Sequence, residues 1–206
     1  MKIAVSFLSI KDNIKEEVNK LDKLGIDYIH VDVMDNIFVP NKTVNIDGFK
    51  NILDGTLKPK DVHIMVSDVK KYVDDFSVLN PEYITYHYET NINHMEMINY
   101  IKSKGIKVGL SIKPNTSVEE IKELLPYIDL VLVMSVEPGK GGQSFMESAV
   151  DKVNMLYELK KDYHYVIEVD GGINLETSKL VSNADILVVG SYITSGNYEE
   201  RIESLR

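Results

Sequence analysis

The chain has 206 residues, 44% of them hydrophobic and 27% charged, enough for one ordinary domain with a sizeable core. It contains no cysteine, which excludes disulfides, thiolate metal sites and a cysteine nucleophile, so any metal must be held by His, Asp or Glu. A net charge of −9 argues against a diffuse basic face for nucleic acid or anionic lipid, and an anionic ligand would need a local site of backbone N–H groups.

In chain order, the apolar run Ile3–Ser6 predicts a first strand. The segment around it is too short in apolar residues for a signal peptide, and no run approaches a membrane span, so a cytoplasmic protein is expected. Asp12–Leu24 predicts a helix, with Ile14, Val18, Leu21 and Leu24 on one stripe and Gly25 as the stop. Strands follow at Tyr28–Val33, Val62–Val66 and Tyr83–His87, then a helix over Ile92–Lys104 ending at Gly105. After a strand at Lys107–Ile112, the Thr116-x-x-Glu119 pair predicts a capping box for a helix over Thr116–Leu125. Leu130–Val136 is the sixth strand run, Met146–Lys160 a helix, Tyr165–Val169 the seventh strand, Leu175–Val181 a helix and Ile186–Val189 the eighth strand.

Continuous apolar runs of this length suit parallel strands covered on both faces. Eight strand–helix units of about 26 residues each predict one (β/α)8 barrel domain over residues 1–206. The rival is an open doubly wound sheet. It more often shows a glycine-rich first turn, and the turn after Ile3–Ser6 has no glycine.

Polar residues inside these strands carry the chemical signal. In His30-Val31-Asp32-Val33-Met34 the period of two turns His30, Asp32 and Met34 to one face, predicted to be the barrel axis, and Val31 and Val33 to the helices. His63 and Met65 repeat the pattern against Val62, Ile64 and Val66. Glu168 and Asp170 end the seventh run. A lone strand histidine is ordinarily a hydrogen-bonded core residue, but a buried imidazole and carboxylate need a partner or a metal. Two histidines with Asp32 and Asp170, all at the same ends of their strands, point to a shared site. His87 and Glu89 are expected in a supporting or structural role, and His94 and His164 on the surface. Met34, Met65 and Met134 read as core filler or as an apolar wall around a reacting centre.

Glycine gives a second signal. Pro138-Gly139-Lys140-Gly141-Gly142-Gln143 follows the sixth strand, Asp170-Gly171-Gly172-Ile173 the seventh and Gly190-Ser191 the eighth. Each group lies where a strand feeds a helix, the setting in which backbone N–H groups and a positive helix end bind phosphate; plain tight turns are the alternative.

These segments together resemble the ribulose-phosphate 3-epimerase family over nearly the whole chain. The resemblance is carried by Ser6-Phe7-Leu8-Ser9, the stretch His30 to Asp35 with Phe38-Val39-Pro40-Asn41, His63-Ile64-Met65-Val66, His87-Tyr88-Glu89, Lys113-Pro114-Asn115-Thr116, Val133 to Gly139 with Gly141-Gly142-Gln143, Glu168 to Ile173, and Val189-Gly190-Ser191. It implies a (β/α)8 TIM barrel that epimerises C3 of D-ribulose 5-phosphate to D-xylulose 5-phosphate, in the pentose phosphate pathway. It implies a divalent cation (zinc, iron, manganese or cobalt) on His30, Asp32, His63 and Asp170, with Asp32 and Asp170 as the acid/base pair. Ser6 would contact substrate, and Met34, Met65 and Met134 would line the enediolate region. Gly142, Gly172, Gly190 and Ser191 would hold the phosphate, with Gly141, Gly171 and His63 also binding substrate. A small ketose phosphate is the implied partner, a homo-oligomer the implied assembly, and an epimerase of a six-carbon ketose phosphate such as allulose 6-phosphate the alternative activity. Two residues depart from the family pattern. Asn36 replaces a glycine, which the left-handed tolerance of Asn accommodates, and Lys140 replaces an aromatic, expected to be solvated.

Overall fold

Eight short, β-branched strands pair in sequence order, and the last closes on the first. The computed structural model describes residues 1–206. The strands are β1 (Lys2–Ser6), β2 (Tyr28–Met34), β3 (Lys60–Met65), β4 (Tyr83–His87), β5 (Lys107–Ile112), β6 (Leu130–Met134), β7 (Val166–Asp170) and β8 (Ile186–Val189). They form one closed parallel barrel. The predicted (β/α)8 architecture holds, and strand ends move by at most two residues from the apolar runs. Between strands lie α1 (Ile14–Asp22), α2 (Ile46–Leu53), α3 (Val69–Ser77), α4 (His94–Ser103), α5 (Val118–Ile121), α6 (Ser148–Leu159), α7 (Thr177–Leu180), α8 (Ser191–Thr194) and α9 (Tyr198–Glu203).

Four helices go beyond the five predicted: α2, α3, α8 and α9. Three of these have clear local causes, one being Asn197, which caps α9 by accepting from the Glu199 amide at 3.1 Å. Asn45 caps α2 by accepting from the Gly48 amide at 3.0 Å, and Asp68 caps α3 by accepting from Lys71 at 3.2 Å. The predicted capping box is shifted by one residue. Ser117, not Thr116, is the N-cap of α5, and its amide donates to Glu120 Oε1 at 2.8 Å. Thr116 instead gives its hydroxyl to Glu89. Pro126 ends the helical run as a 3₁₀ turn over Lys122–Tyr127.

The apolar core lies mainly between barrel and helices, where 46 buried side chains, Val31, Val33, Val62 and Ile64 among them, form one cluster. The barrel interior is different. Its own apolar cluster has only nine residues, including Ala4, Leu130, Leu132, Ile186 and Val188. Polar side chains fill much of the rest: His30, Asp61, His63, Thr85, His87, Ser111 and Glu168 are all at most 1% exposed.

The register of β2 against β3 sets much of this arrangement. His30 stands beside Asp61, Val31 beside Val62 and Asp32 beside His63. The tripeptide His-Val-Asp therefore lies against its reverse, Asp-Val-His, and each imidazole has a carboxylate for a neighbour. The valines between them face the helices.

Candidate active site

Side chains from four strands converge at the C-terminal mouth of the barrel. His30 Nε2 lies 3.5 Å from Asp32 Oδ1, and His63 Nδ1 lies 3.4 Å from the same oxygen and 4.0 Å from Asp170 Oδ2. One donor atom from each of His30, Asp32, His63 and Asp170 falls within 4.8 Å of all the others. The other Asp32 oxygen accepts the Ser6 hydroxyl at 2.7 Å. Ser6, at the end of β1, also accepts from the Leu8 amide at 3.3 Å.

The residues present fit a divalent cation. His30 Nε2 and His63 Nδ1 are fully buried and make no hydrogen bond, although both point into the carboxylate pair. Their opposite ring nitrogens are engaged: His30 Nδ1 meets Asp61 Oδ2 at 2.6 Å, and His63 Nε2 meets His87 Nε2 at 2.8 Å. Two imidazoles held from behind, with bare nitrogens aimed at two carboxylates, form an N/O donor set of the kind that zinc, iron, manganese and cobalt accept.

The carboxylates around the two imidazoles make the site favour positive charge. Burial lowers the affinity of His30 for a proton, but Asp61 and Asp32 outweigh it and push His30 well above its usual range. Burial raises Asp32, yet His30 and His63 hold it well below the usual carboxylate range. Asp170 goes the other way, raised to about 6 by burial and then by the charge of Asp32. The protein's own groups thus separate the two carboxyls, one firmly ionised and one whose affinity for a proton is raised towards neutrality.

Asp32 and Asp170 border a cavity together with Ser6, Met34, Met65 and Met134 on the apolar and inner side. Its other side is made by the loops after β6, β7 and β8, and Gly141, Gly142, Gly171, Gly172, Gly190 and Ser191 all line it. The structure therefore gathers every predicted catalytic, ligand and substrate residue around one cavity, except that His30 and His63 lie beneath its floor. Gly172 takes φ 62°, and a Cβ there would meet the Phe145 amide nitrogen at 2.5 Å. The close approach of the two loops requires glycine. Gly190 precedes α8, whose first turn starts at Ser191. Asn36 takes φ 63°, so the left-handed turn survives without glycine. Lys140 is exposed on the cavity rim.

Several contributing residues lie outside the predicted set. Asp61 is one; it was hidden because the apolar run of β3 begins only at Val62, although alternation from His63 puts Asp61 on the same face. Asp35 is another. Its carboxylate accepts from the Ile37 and Phe38 amides at 2.8 Å, and from the amide and hydroxyl of Ser67, tying the loops after β2 and β3 together. Glu168 is wholly buried beneath the site with neither oxygen partnered, and burial, with Asp61 nearby, pushes it well above its usual range. His94, predicted as a surface residue, is half-buried and stacks with Tyr86 and Tyr88. His164 is exposed as predicted.

The Ribulose-phosphate 3 epimerase family profile matches residues 2–194. The ribulose-phosphate 3-epimerase of Schizosaccharomyces pombe (strain 972) is 38% identical over 210 aligned positions, covering 98% of this chain and 91% of that one. That of Treponema pallidum (strain Nichols) is 38% identical over 180 positions, covering 85% and 83%, and that of Bacillus subtilis (strain 168) is 36% identical over 201, covering 94% and 92%. Among solved structures, 3-hexulose-6-phosphate synthase from Salmonella typhimurium superposes with a TM-score of 0.68 at 19% identity, over 100% of this chain and 96% of that one. N-(5'-phosphoribosyl)anthranilate isomerase from Pyrococcus furiosus gives 0.67 at 16% identity with the same coverage. At such identities the likeness speaks for the barrel alone.

Proposed function

The chain belongs to the ribulose-phosphate 3-epimerase family, and from that premise we infer that it interconverts D-ribulose 5-phosphate and D-xylulose 5-phosphate, with Asp32 and Asp170 moving the proton at C3. The observation that carries this assignment is the group His30, Asp32, His63 and Asp170, at and just beneath the floor of a cavity whose far wall is three glycine-bearing loops.

The proton at C3 lies next to a ketone but is still a weak acid. Asp32, kept ionised, accepts it from one face, and the electron pair left on carbon spreads to the C2 oxygen. Asp170, whose pKa is raised to about 6, delivers a proton to the opposite face of C3 from its protonated form. The two carboxyls then hold the reverse protonation, which suits them to the back reaction. Asp32 comes from β2 and Asp170 from β7, with β1 and β8 between them on the short way round the ring. This separation supports attack from two sides. Ser6 fixes the Asp32 carboxylate by its 2.7 Å hydrogen bond.

His30, Asp32, His63 and Asp170 are the residues that would hold a divalent cation, which when bound supplies positive charge where the enediolate oxygens become negative. Met34, Met65 and Met134 keep the wall around the reacting carbon apolar, which strengthens such electrostatic stabilisation. Gly142, Gly172, Gly190 and Ser191 take the phosphate, and Gly141 and Gly171 complete that wall.

The reading includes one catalytic barrel domain over residues 1–206, acting in the cytoplasm on a pentose phosphate pathway intermediate as a homo-oligomer; the family resemblance supports it. The test is proton–deuterium exchange at C3 of D-ribulose 5-phosphate in heavy water, with metal content measured on the same sample. Deuterium incorporation with formation of D-xylulose 5-phosphate is expected. A sample that binds the sugar phosphate but neither exchanges nor epimerises it overturns the assignment.

A further inference from the structure

A hydrogen-bonded chain runs behind His63, away from the cavity. His63 Nε2 and His87 Nε2 are 2.8 Å apart, so one ring donates and the other accepts. His87 Nδ1 faces Glu89 Oε2 at 3.2 Å. A carboxylate can only accept, so Nδ1 of His87 carries the proton. The acceptor role of Glu89 is fixed independently: its other oxygen takes the Lys113 amide at 2.7 Å and the Thr116 hydroxyl. With its one proton on Nδ1, a neutral His87 offers a lone pair at Nε2. His63 must then donate from Nε2, and in the neutral ring its Nδ1, 3.4 Å from Asp32 and 4.0 Å from Asp170, is left bare. The Phe38 ring, its centroid 4.9 Å from that of His87, packs over the chain, and both imidazoles are 0% exposed.

We propose that His87 and Glu89 are positioning residues of this enzyme: anchored on the loop after β5, they hold His63 in the tautomer protonated at Nε2, so that Nδ1 faces the carboxylates as a ready ligand. A His63 protonated on Nδ1 could not bind a cation there. The proposal rests on the reading of His63 as a ligand given above, and it gives the two residues a role in the reaction that neither performs by touching substrate.

The test begins with long-range proton–nitrogen correlation spectra of the histidine side chains in the unaltered, metal-free protein. The expected result is a proton on Nε2 of His63 and on Nδ1 of His87. A proton on Nδ1 of His63, or an equal mixture of its two tautomers, overturns the proposal. Zinc titration supplies the second arm. His87→Leu removes the acceptor and is expected to weaken zinc binding by about 10- to 100-fold. His87→Gln, whose amide oxygen can accept the same proton, is expected to stay within a few-fold of the unaltered protein. Equal binding by all three proteins, or equal loss in both variants, gives His87 a space-filling role only and overturns the proposal. If the leucine variant does not fold, the spectra of the unaltered protein decide. If the unaltered protein binds no zinc, the ligand reading of His63 fails, while the spectra still report on the chain by themselves.

Discussion

Ser6 and Asp32 are joined by a 2.7 Å hydrogen bond from the serine hydroxyl to Oδ2, on the side of the carboxylate away from both imidazoles. The two oxygens of Asp32 thus have separate partners: Oδ1 faces His30 and His63, and Oδ2 is pinned by β1. Replacing Ser6 by Ala leaves the fold in place and frees the carboxylate to turn. A hydrogen bond to a charged group contributes roughly 1.5–3 kcal/mol, which sets a ceiling of about 10- to 150-fold on the expected fall in kcat. Steady-state kinetics check this, with the melting temperature as the control for folding.

Asp32→Asn and Asp170→Asn are each expected to stop epimerisation, a loss of at least ~10²–10⁴-fold if each contributes as a general acid–base group. The informative measurement is exchange rather than turnover. Each variant keeps one carboxyl, so each is expected to exchange the C3 proton of one epimer and not the other. Exchange of both epimers by either variant contradicts a two-base arrangement.

Removal of divalent cations by a chelator is expected to abolish activity, and zinc, manganese or cobalt to restore it. Stability should follow. A ligand present at 100 times its Kd stabilises by about 2.7 kcal/mol, so the melting temperature rises when a cation is added back to chelated protein. Differential scanning calorimetry reads this without any substrate.

Gly172→Ala and Gly105→Ala form a matched pair. Both positions have positive φ, 62° and 75°, and each alanine costs roughly 1–3 kcal/mol of backbone strain. At Gly105 nothing lies within 4 Å of the new Cβ, whereas at Gly172, in the cavity wall, it meets the Phe145 amide nitrogen. Denaturant unfolding should therefore register both changes, with the larger loss at Gly172. Only Gly172→Ala is expected to raise KM for the sugar phosphate.

Glu89 gives a pH dependence of stability. Burial raises its pKa, but hydrogen bonds from His87, Thr116 and the Lys113 amide outweigh that and hold it at about 2. A carboxyl depressed on folding stabilises the native state above its unfolded value, about 4.3, and that contribution is lost as pH falls towards 2. Glu89→Gln lacks the titration. The stability gap between the two proteins should be constant near neutrality and close between about pH 4.5 and 2 in urea unfolding series.

Much of this architecture is readable from the chain itself. Apolar runs such as Tyr83–His87 and Lys107–Ile112 fall on β4 and β5 with the observed bounds, because parallel strands buried on both faces leave continuous apolar segments. Alternation in His30-Val31-Asp32 assigns the polar face correctly. Contacts across strands are another matter. Nothing local to Asp61 reveals that it supports His30, since that depends on the β2–β3 register. Nothing local to His87 shows that its Nε2 meets His63. Thr116 is legible as a helix cap, but a half-buried carboxylate 27 residues earlier in the chain, Glu89, takes its hydroxyl and leaves Ser117 to cap α5.

The reversed tripeptides of β2 and β3 bear on how the barrel assembles. Aliphatic strands slide past one another with little to choose between neighbouring alignments. Here a shift of two residues would set His30 against His63 and strip Asp32 and Asp61 of their opposite numbers in a dry interior. Such an error is costly at once, so these six residues act as a proofreading device for the strand pair, and the groups that later serve the chemistry first serve to align the chain.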